Sequence, residues 1–504
     1  MKRLFGTLVV SLALPALSID WPQWRGPNRD GVSAEKGLLK QWPQAGPRRA
    51  WLFNNAGLGY SSFAIVKGKL YTMGSRRGTE QLICLDANTG REQWAANIGP
   101  ELKNNWGGGP RGTPTVDGSH IYAMGGGGSL ICTDLSGKIK WQTSMNRLGG
   151  KTPGWGYTES VLVDGNFAIV TPGGRQGAVA ALNKRSGKIV WQSRQFTDGA
   201  QYSSVIAATH NGERQYIQLT QKTLVGLDST SGKVLWKSSW PGKTAVVPTP
   251  IFTAGKVYVS SGYGVGCKLV EIGPGNRVRE VWQNKVMQNH HGGVILYGKH
   301  LYGFGDGRGL VCQDLASGND VWTGDRSLRK GAVTIADGMI IAVNESNGDV
   351  ALVPAAPTSF KVSGKFRPQP QSRIRSRKGK IWTHPVVANG KLYLRDQEYI
   401  YCHIVGSGGV AAAAAPAPSP SPSPTIPPAK KFVWTASVNQ RSIDVVYRNQ
   451  PEAVVRRAFG KPDKTQGAWL GYTGLNITDI KGNKYGTAWF GFTNGVVQQV
   501  RFDK

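Results

Sequence analysis

From about residue 50 to 405, short apolar stretches alternate with glycine-containing turns, and no long helical periodicity interrupts them. Each unit reads as strand, tight turn, second strand, third strand, a Ser/Thr-Gly turn, and a strand carrying tryptophan. The tryptophans are Trp51, Trp94, Trp141, Trp191, Trp236, Trp282 and Trp322, spaced 43, 47, 50, 45, 46 and 40 residues apart. A period of about 45 with strand-like content fits four-stranded repeats better than helical pairs.

The detail is sharper than the period. Cys84-Leu85-Asp86-Ala87-Asn88-Thr89-Gly90 is followed four residues after its glycine by Trp94. Ala181 to Gly187, Gly226 to Gly232 and Cys312 to Gly318 keep the same scheme and spacing. Cys132 to Trp141 lacks one residue, and Leu269 to Trp282 has three extra. A seventh unit, Ile335 to Phe366, has strands but no tryptophan. An eighth, Val386 to Val405, stops after three strands, and Arg49-Ala50-Trp51-Leu52-Phe53 supplies an unpaired strand of the missing type. Pairing the two would remove two exposed sheet edges.

This motif resembles the tryptophan-docking motif of PQQ-type quinoprotein propellers, a family that also holds the BamB propellers of outer-membrane assembly. Trp21-Pro22-Gln23-Trp24-Arg25-Gly26-Pro27-Asn28-Arg29-Asp30-Gly31 is similar to the opening of secreted PQQ-binding-like β-propeller repeat proteins. The resemblance implies an all-β, eight-bladed β-propeller of four-stranded antiparallel blades over 49–407, with the N-terminal strand closing the last blade. It also implies that the tryptophans pack between neighbouring blades against the small residue of the motif.

The rest of the chain divides by composition. Lys2 and Arg3 precede an apolar run from Leu4 to Leu17, and Ala16-Leu17-Ser18 offers a cleavage site. Residues 1–18 therefore read as a signal peptide of an exported protein, with an uncleaved anchor as the alternative. No cysteine stands near the cleavage region to accept a lipid. An extension covers 19–48, and an Ala/Pro/Ser-rich spacer covers 408–430. In 431–504, Asn449 and Glu452 have capping-box spacing, Pro451 opens a helix and Gly460 and Pro462 end it. Strands are expected at 468–472, 487–492 and 496–502, with Asn494-Gly495 as a hairpin turn, so the tail is expected to be a small α+β domain. The run Pro451 to Asp463, with the aromatic strand and hairpin after it, resembles the SmpA/OmlA (BamE-like) family.

Five cysteines in an exported chain invite a disulfide framework, but the register argues otherwise. Cys84, Cys132, Cys312 and Cys402 share one column with Ala181, Gly226, Ala351 and Leu269. A column of mostly small residues reads as filled by size, with free thiols acting as small hydrophobes. Cys267 lies off the column.

Candidate chemistry lies where each first strand opens. Ser61, Arg111, Thr113, Glu159, Ser203, His290, His291 and His384 are the polar residues expected to line the axis. They would hold an anion or polar ligand, or simply satisfy strand ends. The histidines match no standard zinc spacing. In the resembled family, alcohol dehydrogenases hold PQQ with Ca²⁺ and stack the quinone on a disulfide of adjacent cysteines. No Cys-Cys pair occurs here, and Glu159 is the chief carboxylate for a calcium site. The expectation is therefore no cofactor and no catalytic residue, with PQQ and Ca²⁺ as the alternative.

The 61 basic and 30 acidic residues favour anionic partners. Lys361, Lys365, Arg367, Arg373, Arg375, Arg377, Lys378 and Lys380 concentrate that charge, with no acid among residues 361–380. An exported protein would meet anionic lipid or cell-wall polymer there, not nucleic acid. Three functions follow as expectations: a non-enzymatic envelope scaffold for protein partners, a quinoprotein dehydrogenase, or a binder of anionic polymer through residues 361–380.

Overall fold

The structure is a computed structural model that describes residues 19–407 and, in the tail, 438–439, 452–459, 461–473, 477–478, 483–493 and 496–503. The signal segment, the spacer, Asn449, Pro451, Gly460 and the Asn494-Gly495 turn lie outside the described residues. Two compact units separate at Ala415 and Pro416.

In the first unit, residues 19–407 carry eight antiparallel sheets of four strands each, one of them extended by a fifth strand. Sheets one to seven span 64–100, 115–144, 162–192, 206–239, 251–284, 294–323 and 331–366. Sheet eight takes its first three strands from 386–404 and its fourth from Arg49–Phe53, with Trp51 opposite Cys402. The orphan strand therefore pairs where the repeat count placed it.

The tryptophan motif works through the turn of the next sheet as well as through the small residue. In sheets one to four, six and eight the small residue is the cross-strand neighbour of its own tryptophan, as in Cys84 opposite Trp94 and Ala181 opposite Trp191. The indole itself lies on the turn of the next sheet. Trp141 donates from Nε1 to the Lys184 carbonyl at 2.9 Å, and Trp191 to the Ser229 carbonyl at 3.2 Å. Trp51, Trp94, Trp282 and Trp322 reach the carbonyls of Ala87, Leu135, Leu315 and Ala356 in the same way. The small residue of the same sheet lies beside the indole and clears space for it, and the turn of the next sheet supplies its acceptor.

The docking turn is built by its Asp or Asn. Asp228 accepts from the amides and hydroxyls of Thr230 and Ser231, and Asn183 accepts from the Arg185 amide and from the amide and hydroxyl of Ser186. This short-range capture explains Asx and Ser/Thr at those positions. The closing glycine is left-handed and bare, because the incoming indole lies against it. A Cβ on Gly187 would meet Trp141 at 2.6 Å. Two joints depart from the pattern. Trp236 bonds Gln215 of its own sheet, and a shared apolar cluster joins sheets four and five. Sheet seven has no tryptophan, and a second cluster, including Ile341, Val387 and Leu392, joins it to sheet eight. All five cysteines are buried and free.

The extension 19–48 has a role that the sequence did not disclose. Trp21 exchanges backbone bonds with Ile65 at 2.7 Å, and the Pro22 carbonyl accepts from Val116. Arg29 donates to the Ser160 and Val161 carbonyls, and Arg25 to the Val294 carbonyl at 2.6 Å. Trp24 bonds Thr249, Gly31 receives Ile335, and Ser33 donates to Val387. One segment thus reaches the first strand, or the residues leading into it, of seven of the eight sheets. Those first strands are therefore innermost, and the segment plugs the axis between them. Arg25 and Arg29 adopt left-handed backbone and are buried, which draws their pKa values down to about 10 and leaves them charged at neutral pH.

The tail unit is mostly β. Lys464–Gln466, Trp469–Tyr472, Thr487–Thr493 and Val496–Asp503 form one antiparallel sheet. The one α-helix among the described residues, Glu452–Phe459, packs Val455 and Phe459 against the cluster of Leu470, Tyr472 and Phe490. No helix among the described residues is long and apolar enough to cross a membrane.

Gly187→Ala is expected to destabilise the first unit by about 3 kcal/mol, since it adds both left-handed strain and a clash with Trp141. Gly165→Ala, equally left-handed but open on all sides, is the control and should cost only about 1 kcal/mol. Denaturant midpoints measure both.

Candidate functional site

Most of the polar residues expected at the axis hold the sheets together. The Ser160 hydroxyl accepts from the Thr113 amide of the preceding repeat, and the Ser204 hydroxyl accepts from the Ser160 amide. Ser203 donates to the Pro248 carbonyl, and Ser62 to that of His384. Ser61 is wholly buried and accepts from the Met73 amide. These hydroxyls staple the openings of adjacent first strands and are spent in doing so. Arg111 lies over the Tyr60 ring at 4.8 Å and donates to the Gly107 carbonyl at 2.6 Å.

Glu159 is likewise committed. Its carboxylate accepts from the Thr171 amide and hydroxyl and from the Val205 amide. Burial raises its pKa to about 7 against the pull of these bonds and of Arg29.

The three histidines do converge, and they bring residues that sequence reading missed. His290 Nδ1 lies 3.1 Å from Asp306, which also pairs with Lys330 at 3.0 Å. His291 Nε2 lies 3.2 Å from Glu345, whose same oxygen accepts from Trp382 at 2.9 Å. His384 Nε2 lies 3.0 Å from the His291 carbonyl, and its ring meets Trp24 of the plug edge-on. Burial, then the positive charge nearby, pushes His291 well below its usual pKa and His384 down to about 3. Both are therefore neutral at physiological pH. Burial would raise Asp306, but the bonds and charges of His290 and Lys330 hold it at about 2.

This donor set does not fit a calcium ion beside a quinone. Calcium takes six to eight oxygens. Here Asp306 already faces an ammonium, Glu345 faces an indole N–H and an imidazole, and Glu159 is filled by three donors. Among the described residues, no three His, Cys, Asp or Glu side chains gather as a metal centre requires.

The open chemistry lies on the rim. Residues 103–108 form a loop carrying Trp106, which is 43% exposed. Clefts of about 520 and 540 Å³ flank that loop, and Asn104 and Asn105 line both. The basic stretch folds beside it, with Lys378 Nζ 5.7 Å from the Trp106 ring and Ser376 bonded to the Asn105 carbonyl. Two of the eight basic candidates are neutralised, Arg367 by Asp349 and Arg375 by Asp396 through two bonds. Lys361, Lys365, Arg373, Arg377 and Lys378 are exposed, and Lys380 is half-buried.

Residues 78–324 match the family model described as outer membrane protein assembly factor BamB. That span runs from sheet one to the end of sheet six. No curated protein matches the sequence. Among solved structures, BamB from Moraxella catarrhalis superposes with a TM-score of 0.52 at 14% identity, covering 71% of this chain and 99% of that one. Quinohemoprotein alcohol dehydrogenase from Comamonas testosteroni gives 0.52 at 11% identity, covering 82% and 83%. At such identities the likeness is one of fold. The fold is a β-propeller, shared by proteins of both kinds.

His291 and His384 make stability depend on pH in a defined sense. The unfolded chain takes up protons near pH 6.5 and the folded chain only far lower, so these groups withdraw stability as pH falls below about 6.5. Glu159 acts oppositely, withdrawing stability as pH rises from 4.5 to about 7. His384→Asn should therefore make the loss between pH 6.5 and 5 shallower, by up to about 1.4 kcal/mol per pH unit, in guanidinium titrations.

Proposed function

We propose that this chain is a non-enzymatic binding scaffold of the cell envelope. In this reading it is exported on residues 1–18 and folds as an eight-bladed propeller that docks a protein partner on the outer edges of blades two and three. The observation that carries it is an apolar seam. Leu135, Ile139, Ile189 and Val190 are between 39 and 53% exposed. Trp141 of sheet two lies on the turn of sheet three beside them. Ile139 opens the outer strand Ile139–Ser144, and Ile189 and Val190 open Ile189–Gln192. An unpaired edge strand with apolar side chains suits addition of a partner's strand.

The match of residues 78–324 to the BamB family model supports a setting in outer-membrane protein assembly. The tail, joined by the spacer 408–430, would serve as a second, SmpA/OmlA-like binding module. The quinoprotein alternative rests on fold likeness alone, and its calcium donors are committed elsewhere.

Two measurements test the reading. A photo-crosslinking residue at position 189 is expected to give one discrete adduct with an envelope protein, and Val190→Asp should abolish it without changing Tm. No adduct, or an adduct indifferent to Val190→Asp, would overturn the docking surface. Calorimetric titration with PQQ and Ca²⁺ is expected to give no heat. Tight one-to-one, Ca²⁺-dependent binding would instead establish the dehydrogenase.

A further inference from the structure

The cleft of about 520 Å³ on the rim has a lining that the scaffold function does not use. Two indoles stand in it: Trp106 and Trp155, with ring centroids 6.5 Å apart and planes at 85°. Trp155 leans on Tyr202 at 5.6 Å, and its amide donates to the Tyr202 hydroxyl oxygen at 3.3 Å, so its position is held. The loop carrying Trp106 is pinned from both sides. Asn104 bonds the Gly154 carbonyl at 2.9 Å and accepts from the Trp106 amide. The two walls are therefore prebuilt.

The polar groups between these walls are open. Among the described residues, the Asn105 amide, the Thr244 hydroxyl and the Lys378 ammonium have no hydrogen-bond or ion-pair partner. Gln201 accepts from the Val246 amide but leaves its NH₂ free. No carboxylate lines this cleft. Flat aromatic faces set at an angle, amide and hydroxyl groups at their edges, and one unpaired cation form a complementary set. The aliphatic C–H face of a pyranose ring lies on an indole, its hydroxyls match the amides, and an acidic substituent matches the lysine.

We propose that this cleft is a binding site for an anionic oligosaccharide, with Trp106 and Trp155 as stacking platforms and Lys378 reading the acidic group. Asn104 and Asn105 also line the second cleft, across the Trp106 loop, where Lys103 stands exposed. The two clefts together suit a chain of several sugar units crossing the loop, and a single ring would engage only one of them. An apolar peptide would leave the amides and the lysine unanswered. A bare polyanion would leave the indoles uncovered.

The test uses the full mature chain and four probes of matched length: a uronic-acid oligosaccharide, a sulfated oligosaccharide, a neutral oligosaccharide and inorganic polyphosphate. Indole fluorescence reports stacking and calorimetry reports affinity. One or both acidic saccharides are expected to bind and shift the fluorescence, and which of them does so identifies carboxylate or sulfate as the acidic group. Trp106→Ala and Trp155→Ala should each weaken that binding by about tenfold. Both side chains lie at the rim, so an unchanged Tm verifies the fold. Lys378→Ala should erase the preference for acidic over neutral saccharide. Polyphosphate binding as tightly as the saccharides, or saccharide binding indifferent to both tryptophan substitutions, would reduce the site to a patch of positive charge and overturn the proposal. No binding by any probe would overturn it equally.

Discussion

A tryptophan on an outer strand has a large apolar face to bury and one N–H that must find an acceptor. In this ring both needs are met by the neighbouring sheet. The indole lies on a left-handed glycine and donates to the carbonyl two or three residues before it. That carbonyl is available because an Asp or Asn has drawn the local amides and hydroxyls around its own side chain. Its charge state reflects this, since the amide and hydroxyl of Ser317 hold Asp314 below the usual carboxylate range. An unmet buried N–H costs about 1–3 kcal/mol. The same short motif therefore shapes a turn and couples one sheet to the next. Where the motif fails, at the joints between sheets four and five and between seven and eight, apolar clusters carry the contact together with polar bonds such as Lys268 to Ser239 and Trp382 to Glu345.

A ring of sheets has a second problem, at its centre. Eight innermost strands converge with one edge unpaired, and their carbonyls cannot all be left dry. The segment around Trp21 to Ser33 answers this with backbone bonds and with two arginines, whose multiple donors suit several carbonyls at once. The arginines stay charged despite burial. Glu159 and the neutral His384 sit beside them, so the axial polar groups form one coupled internal assembly. A ligand entering there would have to displace internal bonds, whereas rim and outer-edge groups remain available.

Much of the architecture was legible in sequence because it is local and repeated. Four residues from glycine to tryptophan, an Asx and Ser/Thr before them, and a column of small residues all report turn and strand geometry within a dozen positions. Even the closing strand could be identified, since Arg49–Phe53 carried the one fourth-strand signature without a sheet. The carbonyl that each docked indole N–H meets was not legible, because it belongs to the turn of the next sheet, 33 to 43 residues away. The central plug was also missed. Arg25 and Arg29 bond groups more than 100 residues away, and nothing in their local spacing announces it.

The candidate sites follow the same division. Polar residues at strand openings could be counted from the sequence, but whether each faces a ligand or a neighbouring carbonyl depends on its distance to the next repeat. Basic residues 361–380 could be seen as a block, yet Arg367 and Arg375 are neutralised by acids that lie elsewhere in the chain. Trp106 and Trp155 carried no repeat signature, and they meet only because two loops of different sheets close on each other. The sequence by itself determined the repeat, its turns and its strand count, since those rest on steric and hydrogen-bonding rules acting over a few residues. Which polar and aromatic groups stay free was decided only in three dimensions, because satisfaction of a hydrogen bond or a charge depends on partners that folding brings from distant parts of the chain.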